Sequence, residues 1–481
     1  MKRREFVSSL IIGCCGVSII DKSEADILPD FAIPPPQPHH VIDFEALGGV
    51  GDGDLSTGRG TDNASAFARA EAMAQQGYGV KFKSKSCYKT TKQINVHNMY
   101  WIGDEISSPI IFSWFSEKGQ KIIGRSNQKS QLSVCIIGLT FHRCGPFAEH
   151  GIVVDNIDRL YLDIAVTSEP GSQGGAIGIS PFFPENRHSR NCFIKARITN
   201  SGDYGVQFGS VSGAIVDVTA NDCYREVIGI EPIVFGSLLI KFHRASNGKI
   251  FLPNLEFSTG DPILYCRGSV SRGPLKPGNH YFIIRNDDSS VSLADSRLSA
   301  INGSRLNLED VDGEHYFARA GVVEHVVIRN ASIVDNYAKK PTMYANTKGY
   351  IVITGNSGGY VEDINIEKIY IEGNQRYPTG KSFGIYVEGV SDLLLDNIKI
   401  NGCDDAIVVS DGWLNGMFDE HGKPIHVENG YAKILSKNVS VVSPDLVNFR
   451  ESGVLFRGGG GSLHGGRFNS IVKYSKALVR E

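Results

Sequence analysis

The feature that most constrains the fold is a short strand pattern that returns along the chain from residue 150 onward. Gly151-Ile-Val-Val-Asp-Asn-Ile-Asp-Arg-Leu-Tyr-Leu-Asp-Ile-Ala-Val166 aligns with Gly384-Ile-Tyr-Val-Glu-Gly-Val-Ser-Asp-Leu-Leu-Leu-Asp-Asn-Ile-Lys-Ile400, with one extra residue in the second copy. Each copy opens with Gly, alternates apolar residues, turns, and runs into a second alternating strand. Gly205–Phe208, Val227–Ile230, Ala406–Val409 and Gly453–Phe456 repeat the opening, as do Ala176–Ile179 and Ile351–Ile353. Residues two apart share a face of a strand, so the alternation buries one face and leaves the other outside. The openings recur roughly every 20–50 residues, the range of stacked repeats. Short strands separated by Gly, Asn and Asp turns, with almost no helical period, predict an all-β solenoid, a β-helix.

A stack also accommodates the length. Single cores stop growing near roughly 250–300 residues, and this chain has 481. In a solenoid each rung touches only its neighbours, so the limit does not apply. Composition agrees: 54 Gly against 19 Pro suits a protein full of corners, and 41% hydrophobic with 21% charged residues excludes a disordered chain or a charged coiled coil. A net charge of −3 gives no sign of a nucleic-acid partner.

Residues 1–25 read as an export signal. Arg3 and Arg4 precede Phe6, an apolar stretch runs from Leu10 to Ile20, and Ser23 and Ala25 form a small-x-small cleavage site. The Arg-Arg-x-Phe start is of the twin-arginine kind. The stretch is too short to span a bilayer, so no stable membrane insertion is predicted and the chain is placed in the periplasm or outside the cell. Ile11-Ile12-Gly13 before Cys14 carries the alternative of a lipoprotein anchor. Residues 26–40 form a Pro-rich tether, expected to be extended and solvated. Beyond the leader, Cys87, Cys135, Cys144, Cys192, Cys223, Cys266 and Cys403 are odd in number and scattered. They form neither a disulfide framework nor a zinc site, and buried small apolar side chains are the expected role.

Residues 41–105 predict an N-terminal cap with first strands. Asp62 is the expected N-cap of a short amphipathic helix carrying Ala64, Phe67, Ala68, Ala70 and Ala74, stopped by Gly77 and Gly79. Such a helix covers the open apolar end of a stack. The Asp- and Gly-rich stretch at 51–63 lacks the spacing of a calcium loop and reads as a turn into the helix. Rungs are predicted over 106–250 and 317–481. Between them, 251–316 breaks the rhythm with Pro-Leu-Lys-Pro-Gly at 274–278 and strands at Tyr281–Arg285 and Val291–Ala294. It reads as a small inserted β module, placed for substrate contact, subunit contact or neither.

The cap carries a resemblance. Asp43-Phe-x-Ala46, Gly51-Asp-Gly53, Thr61-Asp-Asn63 and Ala66-Phe67, followed by a small-residue helix, resemble the N-terminal cap of pectate-lyase-like proteins. Bacteriophage tailspike depolymerases and polygalacturonase-type glycoside hydrolases share that architecture, and the inserted module resembles one found in tailspikes. The resemblance spans roughly residues 41–475. It implies a right-handed parallel β-helix, a homotrimer, and cleavage of a sugar polymer. The leader in place of a particle-binding head, and the lack of a long segment after residue 475, suit an exported enzyme of bacterial exopolysaccharide turnover.

Glycosidases need two carboxylates, an acid with a raised pKa and a base or nucleophile. Rungs stack about 4.8 Å apart, so neighbouring rungs suit a retaining pair near roughly 5 Å and a two-rung step an inverting pair at about 6.5–9.5 Å. Before the strand openings stand Glu149, Asp203, Glu226, Asp404 and Glu451, and after them Asp155, Glu231, Glu388 and Asp411. Asp203 and Glu226 occupy near-equivalent positions on consecutive rungs, and Glu231 ends the strand that Glu226 begins. Tyr204, Tyr224 and Arg225 beside them are candidates for sugar hydroxyls or an acidic substituent. The alternative is a ladder of solvated carboxylates at turns. The second candidate is Asp404-Asp405, which resembles the paired aspartates of polygalacturonase-type hydrolases. The companion Gly-His-Gly and Arg-x-Lys motifs are missing, and His421 and His426 stand in another context. An Asp-rich corner capping backbone amides is the alternative there. Trp101, Trp114 and Trp413, with Phe182 and Phe183, are candidates to stack on sugar rings if exposed. The histidines are scattered singly, so no metal site and no cofactor are predicted. The Gly458–Gly461 run lacks the Lys of a phosphate loop.

The function expected is an exported endo-acting hydrolase of bacterial exopolysaccharide using two carboxylates. The alternatives are a lyase acting on a uronic-acid polymer and a non-catalytic polysaccharide-binding solenoid.

Overall fold

The computed structural model describes residues 29–104, 107–115, 120–124, 132–144, 148–169, 174–180, 188–232, 234–244, 249–251, 257–268, 273–286, 290–308, 312–335, 347–355, 358–373, 381–413, 433–434, 436–457 and 461–468. The leader with Cys14, the rings of Phe182 and Phe183, and His421 and His426 lie outside them.

Two parallel sheets run the length of the molecule. A long-strand sheet includes Leu132–Cys144, Ile157–Ser168, Ser189–Thr199, Val211–Asn221, Val322–Val334, Tyr360–Glu372 and Ser391–Asn401 in that spatial order. A short-strand sheet runs through Ala148–Val154, Ile177–Ile179, Val206–Phe208, Ile228–Ile230, Thr347–Thr354, Lys381–Glu388, Asp405–Ser410 and Ser452–Arg457. The chain alternates between them, so it coils, and each turn of the coil is a rung. The fold is a right-handed parallel β-helix.

The strand openings read from the sequence form the core. Ile152, Ile177, Val206, Ile228, Ile351, Ile385, Ile407 and Val454 stand in register across eight strands, and all are buried. β-branched side chains with few rotamers stack on their like from rung to rung. The corners belong to Asn and Asp as much as to Gly. Inside the long strands, Asn191, Gly213, His325, Asp363, Asp392 and Asn438 fall at one level on consecutive rungs. All have left-handed φ, from 53° to 78°. That conformation bends the strand, and short polar side chains tolerate it because they bond locally.

The cap forms as expected, with one shift. Helix α1 (Ala64–Ala74) buries Ala66, Phe67 and Ala70, and Phe67 packs on Phe44 and Trp101. Asn63, not Asp62, is the N-cap residue. Its side chain accepts from the Val50 N–H at 2.7 Å and donates to the Lys89 carbonyl, while Asp62 ties Ala64 to Thr91. Both are used because the turn before α1 must also be fastened to the first rung. The tether is not wholly solvated. Phe31 and Ala32 pack on the outer face of the long-strand sheet against Cys135, Tyr161, Phe193 and Ile215, and Arg159 Nη2 donates to the carbonyls of Asp30 and Ile33, both at 2.9 Å.

The inserted module runs from Val234 to Ala320, wider than 251–316. Its six strands form an antiparallel sheet; Val234–Arg244, which falls within the expected rungs, pairs with Asp312–Ala320, of which the expected module holds the part up to residue 316. Helix α2 (Arg297–Ile301) completes it. The solenoid passes beneath without a gap, because Ala214 stands in register with Val326 and Ile228 with Ile351. The module therefore springs from one corner, directly after Glu231 and Pro232. Of the seven described cysteines, all but Cys87 are buried.

Candidate active site

Five of the singled-out residues meet at the corner where the long-strand sheet turns into the short-strand sheet. Backbone bonds set their level: Gly151 N–H donates to Gly175, Ala176 N–H to Tyr204 and Gly205 N–H to Glu226. His150, Gly175, Tyr204 and Glu226 thus occupy one position on four consecutive rungs, with Asp203 and Arg225 one residue upstream. The ladder of core residues just inside fixes this level.

Arg225 organises the corner. Its Nη1 donates to Asp203 Oδ1 at 3.1 Å, and its Nε lies 3.0 Å from Glu226 Oε2. Its guanidinium sits 4.7 Å from the centre of the Tyr204 ring. The Tyr204 hydroxyl donates to the Glu231 carboxylate at the far end of the same strand. The Tyr204 ring can cross that strand because Gly229 has no side chain: a Cβ there would lie 2.6 Å from two ring carbons. Glu231 is thereby joined to Glu226, five residues upstream, through one ring and one guanidinium.

The charges do not balance without a proton. Asp203, Glu226 and Glu231 would bring three negative charges into a corner with two guanidinium groups, Arg225 and the fully buried Arg143. Arg143 donates to the Gly174 carbonyl and to Ser168 Oγ, and burial pushes its pKa down to about 10. Burial and like charge favour a proton on Glu226. It is 7% exposed, its Oε2 has no hydrogen bond, and burial followed by repulsion from Glu231 and Asp203 lifts its pKa to about 8 against the pull of Arg225. Burial also raises Glu231 and Asp203, but Tyr204 opposes the rise at the first and Arg225 at the second. His150 stays neutral: burial, then the charge of Arg143, push it down to about 3.

Two of the proposed binding residues play other parts. Tyr224 is 2% exposed and offers no face to a substrate. Tyr204 is buried between Gly229 and Arg225, so it positions Glu231 rather than stacking on a sugar. Trp413 lies in a two-residue strand paired with Lys433–Ile434, and its side chain is outside the described residues. Arg143, His150 and Gly229 were not singled out in the sequence. The glycine at the centre of Ile228-Gly-Ile230, where an outward side chain belongs, was the available signal.

The Asp404-Asp405 pair does not join this corner. The Asp404 carboxylate accepts from the Ser382 N–H at 2.7 Å and from Ser382 Oγ, and pairs with Arg450. Its backbone carbonyl accepts from Glu451 and Ser452. Asp405 is 0% exposed and stands in register between Phe383 and Ser452. This is an Asp-rich corner that ties three rungs together. Among the described residues, no group of His, Cys, Asp and Glu is arranged to hold a metal ion, and no helix is long and apolar enough to cross a membrane.

No family model matches the chain, and no curated protein matches it. Solved structures resemble it in fold. A family 28 exopolygalacturonase from Yersinia enterocolitica is 8% identical with a TM-score of 0.46, covering 90% of this chain and 77% of that one. A hyperthermoactive exopolygalacturonase from Thermotoga maritima is 11% identical with a TM-score of 0.37, covering 93% and 97%. Tailspike protein 3 of bacteriophage CBA120 is 10% identical with a TM-score of 0.30, covering 91% of this chain and 60% of that one.

Proposed function

We propose that the chain is an exported polysaccharide hydrolase, endo-acting on a bacterial exopolysaccharide, with its catalytic carboxylates at the Asp203–Glu231 corner. The observation that supports this is a pair of buried carboxyl groups at the two ends of one strand, Glu226 and Glu231, joined through Arg225 and Tyr204. Glu226 holds a proton at neutral pH and can give it to a leaving glycosidic oxygen. Glu231 accepts a hydrogen bond from the Tyr204 hydroxyl, which favours its ionised form against burial, and it takes the part of base or nucleophile. Asp203 neutralises Arg225, whose side chain is 33% exposed and can meet substrate hydroxyls. The same geometry speaks against a lyase. Desolvation disfavours the Arg225 charge, but Glu226, Tyr204 and Asp203 around it more than offset this and hold it protonated, so it makes a poor base for proton abstraction.

The predicted leader would carry the enzyme to its polymer, and the homotrimer implied by the tailspike resemblance belongs to the same reading; sedimentation mass tests it. The deciding experiment follows reducing-end release from the encoding organism's own exopolysaccharide, polygalacturonate and alginate. Hydrolysis should yield saturated ends and vanish in E226Q and E231Q. Products absorbing in the ultraviolet would overturn the hydrolase in favour of a lyase, and retained binding without any cleavage would favour a binding solenoid.

A further inference from the structure

We propose that Trp114 is a stacking platform for a sugar ring of the polymer bound at the Asp203–Glu231 corner, three rungs nearer the cap. The inference rests on the functional reading above for the nature of that polymer. The fold separates the tryptophans. Trp101 is wholly buried in the cap core, whereas Trp114, ending the strand Ile110–Trp114, is 38% exposed. Its exposure is one-sided. A Cβ on Gly58 would lie 2.4, 2.5 and 2.6 Å from Cζ3, Cε3 and Cδ2 of the indole. Near-equal distances to three contiguous ring atoms place Gly58 over the face of the six-membered ring, not at its edge. One face is thus closed by backbone, and the exposed area belongs to the rest of the ring.

The shelf beneath is fastened. Gly58 has φ +65°, and Gly60 approaches so closely that its Cβ would lie 2.7 Å from the Gly53 Cα. The Asp54 carboxylate accepts from the Ser56 N–H at 2.9 Å, Ser56 Oγ at 2.7 Å and Thr57 Oγ1 at 2.7 Å. An exposed aromatic ring held on one face by backbone loses little entropy on stacking, and its π face attracts the C–H groups of a sugar.

Register places this face in line with the corner. Trp114 stands beside Cys144; Arg143 pairs with Ser168, and Thr167 with Thr199. The same level therefore passes through Cys144, Glu169 and Ser201, two residues before Asp203. Trp114 occupies the same corner of the solenoid, about 14 Å along its axis at three rung spacings. A chain molecule lying along that corner would meet both.

The test separates binding from cleavage. In native gels containing the organism's exopolysaccharide, polygalacturonate or alginate, E226Q should be retarded, and adding W114A should weaken retardation at least five-fold. W114F should restore part of it. In the otherwise unmodified chain, W114A should raise KM on the polymer by a similar factor with kcat unchanged, and leave cleavage of two- or three-unit oligosaccharides as it was. Unchanged retardation and KM in a W114A chain of normal circular dichroism would overturn the proposal. So would no retardation by any of the three polymers, or a fall in oligomer mass in W114A without loss of affinity, which would make this face a contact between copies. If E226Q and E231Q cleave normally while W114A still loses retardation, the catalytic assignment fails and the platform stands.

Discussion

Two corners of the solenoid carry acidic clusters, and they are wired oppositely. At Asp404 the carboxylate faces donors: the Ser382 N–H and hydroxyl, and Arg450. It fastens one rung to the next. At Glu226 the carboxyl faces one guanidinium, which it shares with Asp203, and the charges of Glu231 and Asp203 push against its ionisation. The first corner gains stability from its acid, and the second gives some up. A carboxyl whose pKa is raised by burial and like charge is a candidate working acid, which is the part proposed for Glu226.

The largest effect that would break this contrast is on cleavage. E226Q and E231Q should each lower kcat by ~10²–10⁴-fold, the usual worth of a positioned acid or base. Full activity in both would return the corner to a turn ladder. Next comes pH. With the acid lifted to about 8, kcat/KM should fall as pH rises through about 8, because the leaving oxygen loses its proton donor; a flat profile to pH 10 would contradict the assignment. The same shift has a stability side. The folded chain binds the Glu226 proton more tightly than the unfolded chain, so this group's contribution is intact at acid pH and is lost as pH climbs from about 4.5 to about 8. E226Q cannot ionise. It should match wild type near pH 4 and be the more stable protein at pH 9, as read by thermal melting.

A smaller effect tests the wiring. Gly229→Ala puts a methyl where the Tyr204 ring crosses the strand. The ring must move and the hydroxyl leaves Glu231. Loss of one hydrogen bond to a charged group, worth about 1.5–3 kcal/mol, predicts roughly 10- to 100-fold lower kcat. Y204F should lose a similar amount without moving the ring.

The two corners were not equally legible in the sequence. The rungs were, since alternation of Ile and Val is itself the core. The carboxylates near Glu226 were, because rung spacing places equivalent positions side by side. The role of Asp404 was not: an aspartate before a strand looks alike whether it serves a Ser382 amide or a substrate, and that amide is 22 residues upstream. Arg143 and His150 stayed hidden for the same reason. A search along the rungs for paired carboxylates passes over both, although Glu149 stands directly before His150. The module's first strand, Val234–Arg244, passed for a rung because an antiparallel strand and a rung share the same period of two.

The smallest effect on catalysis should come from Asp404→Ala, and it is the sharpest check on the comparison. Removing this carboxylate leaves the buried Ser382 N–H without its acceptor, a loss of about 1–3 kcal/mol. The half-exposed Arg450 adds little, since an ion pair open to water is worth about 0–1 kcal/mol. The melting temperature should therefore fall by several degrees while kcat on the polymer stays within about two-fold. Asp404→Asn, which keeps an acceptor oxygen for Ser382, should recover much of the loss. If Asp404→Asn instead melts normally and cleaves ~10²-fold more slowly, the charge itself was needed, and the chemistry sits at the corner that looked structural.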